Sequence, residues 1–344
     1  MAVSTVFLAA VLPRGLVIAL YLMLALGLAF AAFVIQLGWA LFRYASRRAD
    51  SRDFTPPADI PPETLEWYKT AALARERLLL RPHQDWEMVR DGLVLRGIYF
   101  PAREGASGSP AGKGCALLVH GWRDVRLSRA PDVQMYLEQG YDVFLPFLRG
   151  HEPSGGKRID IGCKHSRDLF AWMEEIRKRS GDKTPSFFVL DGLSMGAANV
   201  LTASGDPDLP GDVAAVIADC GYTSLKAQGQ WMIRGMKPLL RCPAFFFATV
   251  FFFLFMGYSR KDPTPLTGVA RARVPVMIIH GSKDVFVPAF MAEELWQACH
   301  SELKELWYVE GAGHAMSQAL AGDSYRERKR AFIEKALERF QPDS

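Results

Sequence analysis

Phe187-Phe188-Val189-Leu190-Asp191-Gly192-Leu193-Ser194-Met195-Gly196-Ala197 reads as a strand, a sharp turn and the start of a helix. The apolar run comes first, a G-x-S-x-G pentapeptide follows, and Ala198-Asn199-Val200-Leu201 carries the helix on. A serine on such a turn is lifted clear of its sheet with the hydroxyl open to a reactant. The two glycines have a steric role. The turn strains the serine backbone, and side chains at the flanking positions would collide with the neighbouring strand and helix. The serine also stands at a helix N-terminus, where backbone N–H groups stabilise negative charge.

A serine hydroxyl needs a base to take its proton, and an imidazole base needs a carboxylate to fix its tautomer. Candidates for both follow downstream. Val276-Met277-Ile278-Ile279-His280 reads as a buried strand running into Gly281-Ser282-Lys283-Asp284. Leu306-Trp307-Tyr308-Val309 reads as another, followed by Glu310-Gly311-Ala312-Gly313-His314. In a parallel sheet the loops after the strands gather on one edge, so Ser194, Asp284 and His314 are expected together there, in the order Ser, acid, base. Asp219, at the end of Ala215-Val216-Ile217-Ala218, is a rival acid; Asp284 is preferred because it follows the later strand and sits in a Gly-Ser-x-Asp turn. Ala116-Leu117-Leu118-Val119 ends in His120-Gly121-Trp122. The backbone N–H just past such a strand pairs with the one after the nucleophile to hold an oxyanion, which assigns Trp122 and Met195. His120 is read as a brace under this loop rather than as the base.

These motifs carry a resemblance. From about Asp85 onward the chain resembles the α/β-hydrolase superfamily, and is similar to bacterial membrane-anchored hydrolases of the serine aminopeptidase-like and prolyl-oligopeptidase-like group. The stretches concerned are His120-Gly121-Trp122, Leu148-Arg149-Gly150-His151, Asp191 to Ala197, Ala218 to Ser224, and Gly313-His314-Ala315-Met316-Ser317. The resemblance implies nucleophile Ser194, acid Asp284 and base His314. Relatives often read R-G-H-G-x-S where this chain has Arg149-Gly150-His151-Glu152-Pro153-Ser154, with Glu152 in place of a glycine.

Composition agrees with one catalytic domain and an anchor. The chain has 344 residues, 49% of them hydrophobic, and its 41 basic and 37 acidic residues leave a net charge of +4. So even a balance carries no nucleic-acid footprint. No metal or organic cofactor is expected, and five cysteines (Cys115, Cys163, Cys220, Cys242, Cys299) include no close-spaced pair for zinc or redox work. Residues 1–14 form an N-terminal segment and 43–62 a basic, Pro-rich linker; 63–344 are expected to be the α/β-hydrolase domain, with a small helical cap inserted at about 221–270.

Between Gly15 and Phe42 there is no charged side chain. That exceeds the ~20 apolar residues that cross a bilayer, so residues 15–42 are read as a single transmembrane helix. A cleaved signal peptide, with Ala29-Phe30-Ala31 as its cleavage site, is the alternative; its apolar stretch would end sooner, after about 7–15 residues. Arg43, Arg47, Arg48 and Arg52 follow the helix against Arg14 before it, which favours a cytoplasmic catalytic domain. Trp86 to Arg90 and Leu93 to Tyr99 flank Asp91-Gly92, a hairpin signal, and alternating strands and helices then argue for a mainly parallel sheet with helices on both faces. Residues 63–81, 166–179 and 325–340 are expected to be helices. Phe245 to Met256 is intensely aromatic, and as a segment of a dozen residues it is too short to cross a bilayer. It is read either as a buried cap helix or as an apolar surface that touches lipid or guides an apolar substrate into the site.

The expected protein is a membrane-anchored serine hydrolase of carboxylic esters, with acyl or lipid-like substrates. A peptidase or amidase with the same triad, and a non-catalytic membrane scaffold that keeps the fold, are the alternatives.

Overall fold

Gly114–Val119, Asp142–Phe147, Val213–Asp219 and Val276–Gly281 are strands in which every residue is buried. Strands covered by helices on both faces read as near-continuous apolar runs rather than as alternation, and these four do. They belong to a computed structural model that describes residues 13–48, 62–102, 114–124, 127–161 and 166–340. Most of the N-terminal segment, most of the Pro-rich linker and Cys163 lie outside the described residues.

In chain order the elements are α1 (Arg14–Ser46), α2 (Pro62–Leu79), β1 (Gln84–Arg90), β2 (Leu93–Phe100), β3 (Gly114–Val119), α3 (Ala130–Glu138) and β4 (Asp142–Phe147). Then come α4 (Asp168–Ser180), β5 (Phe187–Leu193), α5 (Met195–Ala203), β6 (Val213–Asp219), α6 (Leu225–Met232) and α7 (Pro238–Met256). The chain continues through α8 (Pro265–Val269), β7 (Val276–Gly281), α9 (Phe290–Ala298), β8 (Lys304–Val309), α10 (Ser317–Ala321) and α11 (Asp323–Glu338). Most expected helices shift by one or two residues at their ends.

The strands form one sheet in the order β1-β2-β4-β3-β5-β6-β7-β8. The first two pairings are antiparallel and the rest parallel. The hairpin turn has Asp91 at φ 49° and Gly92 at φ 73°, the paired positive values that match the twist of flanking strands. Successive strand residues point to opposite faces. Cys115, Leu117 and Val119 join Trp172, Ile176 and Leu201 on one side, and Ala116 and Leu118 join Val133, Tyr136 and Phe332 on the other.

A buried ionic cluster ties the second face to the sheet. Arg129 donates to Asp132 at 2.9 Å and to Asp191 at 2.8 Å. The Tyr136 hydroxyl donates to Asp191 at 2.8 Å. Lys329, fully buried on α11, donates to Asp132 at 3.0 Å and also pairs with Asp191. Burial alone would raise the Asp132 carboxyl, but Arg129 and Lys329 hold it well below the usual range. The cluster joins β5, three residues before Ser194, to α3 and α11.

The residues divide into two compact units, 1–45 with 233–258 and 46–232 with 259–344. The first consists of α1, through Ala45, and α7. α7 corrects the reading of the Phe-rich stretch as a dozen residues. It starts at Pro238, keeps Arg241 and Pro243 inside it, and runs 19 residues to a left-handed Gly257. By length and composition both α1 and α7 could cross a membrane. Nor is α7 a buried helix: Ala244 and Ala248 are its buried residues.

Replacing Lys329 with alanine should leave Asp132 and Asp191 sharing Arg129 in a dry site. Stripping one partner from a buried ion pair costs on the order of 3–5 kcal/mol. Thermal unfolding of the detergent-solubilised chain should show a midpoint lower by about 10 °C; an unchanged midpoint would contradict this account of the cluster.

Candidate active site

β5 ends at Leu193, and Ser194 follows with φ 53° and ψ −111°. A non-glycine residue in such a conformation costs on the order of 1–3 kcal/mol unless its surroundings hold it there. They do so at both flanking glycines. A Cβ at Gly192 would lie 2.3 Å from the Gly196 carbonyl oxygen, and one at Gly196 would lie 2.1 Å from that of Val119. The first turn of α5 thus packs directly on the end of β3. The Ser194 N–H donates to the Asp219 carbonyl at 2.8 Å, which ties the turn to β6.

Ser194 Oγ lies 2.9 Å from His314 Nε2, and His314 Nδ1 lies 2.7 Å from Asp284 Oδ2. The three come from loops after β5, β7 and β8. The Asp284 and His314 loops are joined by backbone bonds: Ser282 N–H to Val309 O at 3.0 Å and Lys283 N–H to Ala312 O at 2.9 Å. Asp284 is further aimed by the N–H groups of Phe286 and Val287, which donate to its Oδ1 at 2.9 and 2.8 Å. Behind it sits fully buried His280, which donates from Nε2 to Val287 O at 2.9 Å. Burial lowers the His280 pKa, which favours the neutral ring. An imidazole placed this way can take a proton from the serine hydroxyl while the carboxylate stabilises its cationic form.

The loop after β3 borders the serine. A Cβ at Gly121 would stand 3.6 Å from Ser194 Cβ. Trp122 follows that glycine and Met195 follows the serine, so both expected oxyanion donors are one residue from groups that meet. His120 accepts from the Leu148 N–H at 3.0 Å through Nε2, and its Nδ1 lies 2.8 Å from Gly121 O. Both ring nitrogens are engaged, consistent with a brace. Across the loop, the Arg123 N–H donates to His151 Nε2 at 3.1 Å. Despite Glu152, Ser154 bonds back to the sheet, donating to Phe147 O at 2.6 Å and accepting from Arg96 N–H at 2.8 Å.

Residues 116–323, more than half of the chain, match the Alpha/beta hydrolase family. The chain belongs to that family. YqkD of Bacillus subtilis (strain 168), described as uncharacterized, is 26% identical over 218 residues, which cover 63% of this chain and 70% of that protein. The esterase Pf2001 of Pyrococcus furiosus has a similar structure, with a TM-score of 0.59 at 20% identity over 83% of this chain and 99% of that one. A puromycin-hydrolyzing peptidase of Mycobacterium tuberculosis gives 0.57 at 18%, over 77% of this chain and 40% of its own. At such identities the structural likeness is one of fold.

Asp219, the rival acid, is where this α/β hydrolase uses a carboxylate differently. It accepts from the Ser317 hydroxyl at 2.9 Å and the Tyr325 hydroxyl at 3.0 Å. Ser317 opens α10, three residues past His314, so Asp219 anchors the loop that presents the imidazole. Sequence reading quoted both residues without joining them, because the bond spans 98 positions. Reading by motif also passed over Phe286, whose ring centroid lies 4.8 Å from that of His314. Gln228 and Trp231 of α6 donate to the Phe286 and Val285 carbonyls at 2.8 and 2.9 Å, tying part of the insertion to the Asp284 loop. Cys220, Asp284 and His314 each offer an atom within 4.8 Å of the others, which is a possible metal-ligand set. Burial pushes the Cys220 thiol well up, away from the thiolate form that binds metals.

Burial also pushes Asp219 up to about 6, against the lowering effect of its two hydroxyl donors. The unfolded value is about 3.9. Folded Asp219 therefore keeps a proton in the window between these values that the unfolded chain releases. Its contribution to stability is full below the unfolded pKa and is lost as pH rises through about 6. Asp219→Asn, which retains an acceptor for Ser317 and Tyr325, should flatten the pH dependence of the thermal midpoint between pH 4 and 7, by on the order of 2–3 kcal/mol. Identical pH profiles in the two proteins would refute the assignment.

Proposed function

We propose that this protein is a membrane-anchored serine hydrolase that cleaves carboxylic esters with acyl or lipid-like substituents. The hydrogen-bonded line Ser194–His314–Asp284 carries the reading. Ser194 Oγ attacks the substrate carbonyl as His314 Nε2 takes its proton, and Asp284 stabilises the imidazolium. The Trp122 and Met195 N–H groups hold the oxyanion. His314 then returns the proton to the leaving alkoxide, which departs as alcohol. Water, deprotonated by His314, releases the acyl group as carboxylic acid and frees Ser194. The mechanism needs no cofactor.

Residues 15–42 anchor the enzyme in the cell membrane as a single pass. Arg43, Arg47 and Arg48 at its downstream end favour a cytoplasmic catalytic domain. An ester substrate fits a protein held at a bilayer, where acyl esters are concentrated, and the fold is shared with an esterase. Peptide or amide hydrolysis by the same residues is the second reading, favoured by the likeness to the puromycin-hydrolyzing peptidase.

The test is turnover of p-nitrophenyl esters, from acetate to long acyl chains, by the detergent-solubilised full chain and its Ser194→Ala variant. Chain-length-dependent turnover should fall by about 10⁴-fold or more in the variant, and a fluorophosphonate probe should label the wild type alone. Labelling without ester turnover would move the substrate to the amide class. Neither labelling nor turnover would leave a scaffold.

A further inference from the structure

We propose that α7, Pro238–Met256, is a second membrane-embedded helix that does not cross the bilayer. It lies in the headgroup and outer acyl layer of one leaflet, locked to the downstream end of α1. This rests on reading α1 as a membrane anchor and is independent of the catalytic assignment.

The two helices of the first unit meet at a glycine. A Cβ at Gly38 would lie 2.6 Å from Phe247 Cβ and 2.9 Å from the Ala244 carbonyl oxygen. Small residues that let backbones approach this closely are the usual contact of helices in lipid; here they are Gly38, Ala244 and Ala248. Aromatic rings continue the seam. Trp39 meets Phe251 with centroids 5.1 Å apart, and Phe42 meets Phe252 at 5.0 Å, both edge to face.

The contact divides α1 in two. From Gly15 to Phe33 every residue but Val17 is exposed. Val34, Gly38 and Phe42 are then buried at four-residue spacing, one face of a helix. The exposed stretch of 19 residues is about 28 Å long, close to the ~30 Å of a hydrocarbon core. Crossing the membrane is thus assigned to residues 15–33, and holding α7 to residues 34–42.

α7 keeps a large apolar surface open even after this pairing. Leu239, Phe246, Phe253 and Leu254 are each at least 60% exposed. Apolar side chains so exposed call for a partner, and continuity with the anchor makes that partner lipid. Arg234, Lys237 and Arg241 lie at the start of the segment, and no acidic residue occurs between Ile233 and Tyr258. That charge pattern suits anionic headgroups.

Length alone would let α7 cross, but its connections forbid it. A crossing helix has its ends on opposite sides of the bilayer. Both ends of α7 lead back into the second unit, at Met232 and Ser259. There the flanking strands β6 and β7 are hydrogen-bonded neighbours, with Val216 opposite Val276. Eight residues separate Met256, the end of α7, from Pro265 at the start of α8, and to retrace a ~30 Å core they would have to run fully extended through hydrocarbon with Arg260, Lys261 and Asp262 among them, where charged side chains are costly. α7 therefore enters and leaves from one face.

The test uses the full chain in sealed vesicles of phosphatidylcholine and phosphatidylglycerol, in a Cys163→Ser, Cys242→Ser background, with single cysteines and a membrane-impermeant maleimide. Arg234→Cys and Ser259→Cys should label from the same side as Arg47→Cys. Phe246→Cys and Phe253→Cys should label at least tenfold more slowly until detergent is added. Labelling of Arg234→Cys and Ser259→Cys from opposite sides would make α7 a crossing helix. Fast labelling of Phe246→Cys and Phe253→Cys in intact vesicles would make it a water-facing surface. Either overturns the proposal. A short bis-maleimide should also link Trp39→Cys to Phe251→Cys, whose native rings meet, within one chain, and failure to link would overturn the pairing. Because labelling does not require turnover, loss of ester hydrolysis with this pattern intact would count against the proposed function alone.

Discussion

The backbone at Ser194 is held at φ 53° between a strand and a helix, and much of the surrounding architecture exists to keep it there. The turn is stable only where α5 can press against the end of β3, which requires the bare backbones of Gly192 and Gly196. It also requires β3 and β6 as the immediate neighbours of β5, in the parallel register that brings Val119 level with Gly192 and Asp219 level with Leu193. The sheet order places the Gly121 loop on one side of the serine and the Asp219 carbonyl on the other.

Two buried carboxylates near this turn are each met by several donors. Asp191 precedes Ser194 by three residues and is met by Arg129, Tyr136 and Lys329. Asp219 is met by Ser317 and Tyr325. Buried carboxylates cost free energy and are tolerated when charge and hydrogen bonds surround them. In return they resist movement, because any displacement leaves a charge unpaired in a dry site. Asp191 secures the strand leading to Ser194 and Asp219 the loop bearing His314, so the 2.9 Å contact between Ser194 and His314 is supported from both sides.

The two units obey different solvation rules. The hydrolase unit buries apolar strands under helices and exposes charged faces. The helix pair meets through Gly38, Ala244 and Ala248 with Phe42 buried beside them, and leaves Leu239, Phe246, Phe253 and Leu254 outside. One of its two helices, α7, is inserted in the chain between β6 and β7.

Much was legible in the sequence because it depends on local chemistry. Strand runs, the Asp91-Gly92 hairpin and the glycine-flanked Ser194 each follow from sterics or burial within a few residues. The order of Ser194, Asp284 and His314 was readable because each follows an apolar run, and parallel strands send such loops to one edge. What tertiary structure alone decided are the partnerships across long separations. Asp284 rather than Asp219 faces His314 because the loops after β7 and β8 are bonded together, a register that no local pattern encodes. Lys329 reads as part of a solvated helix face until α11 is laid against α3 and β5, where Asp132 and Asp191 receive it. The Phe-rich run reads as a dozen residues because Arg241 and Pro243 interrupt its hydropathy, yet the helix runs through both, with the bond that Pro243 cannot donate left out of its ladder. Its partner, Gly38, lies about 200 residues earlier in an apolar stretch where a glycine has no distinguishing neighbour. Local sequence specified which segments bury themselves; which buried groups meet was set by packing, where the cost of an unpaired charge or an overlapping Cβ leaves one arrangement.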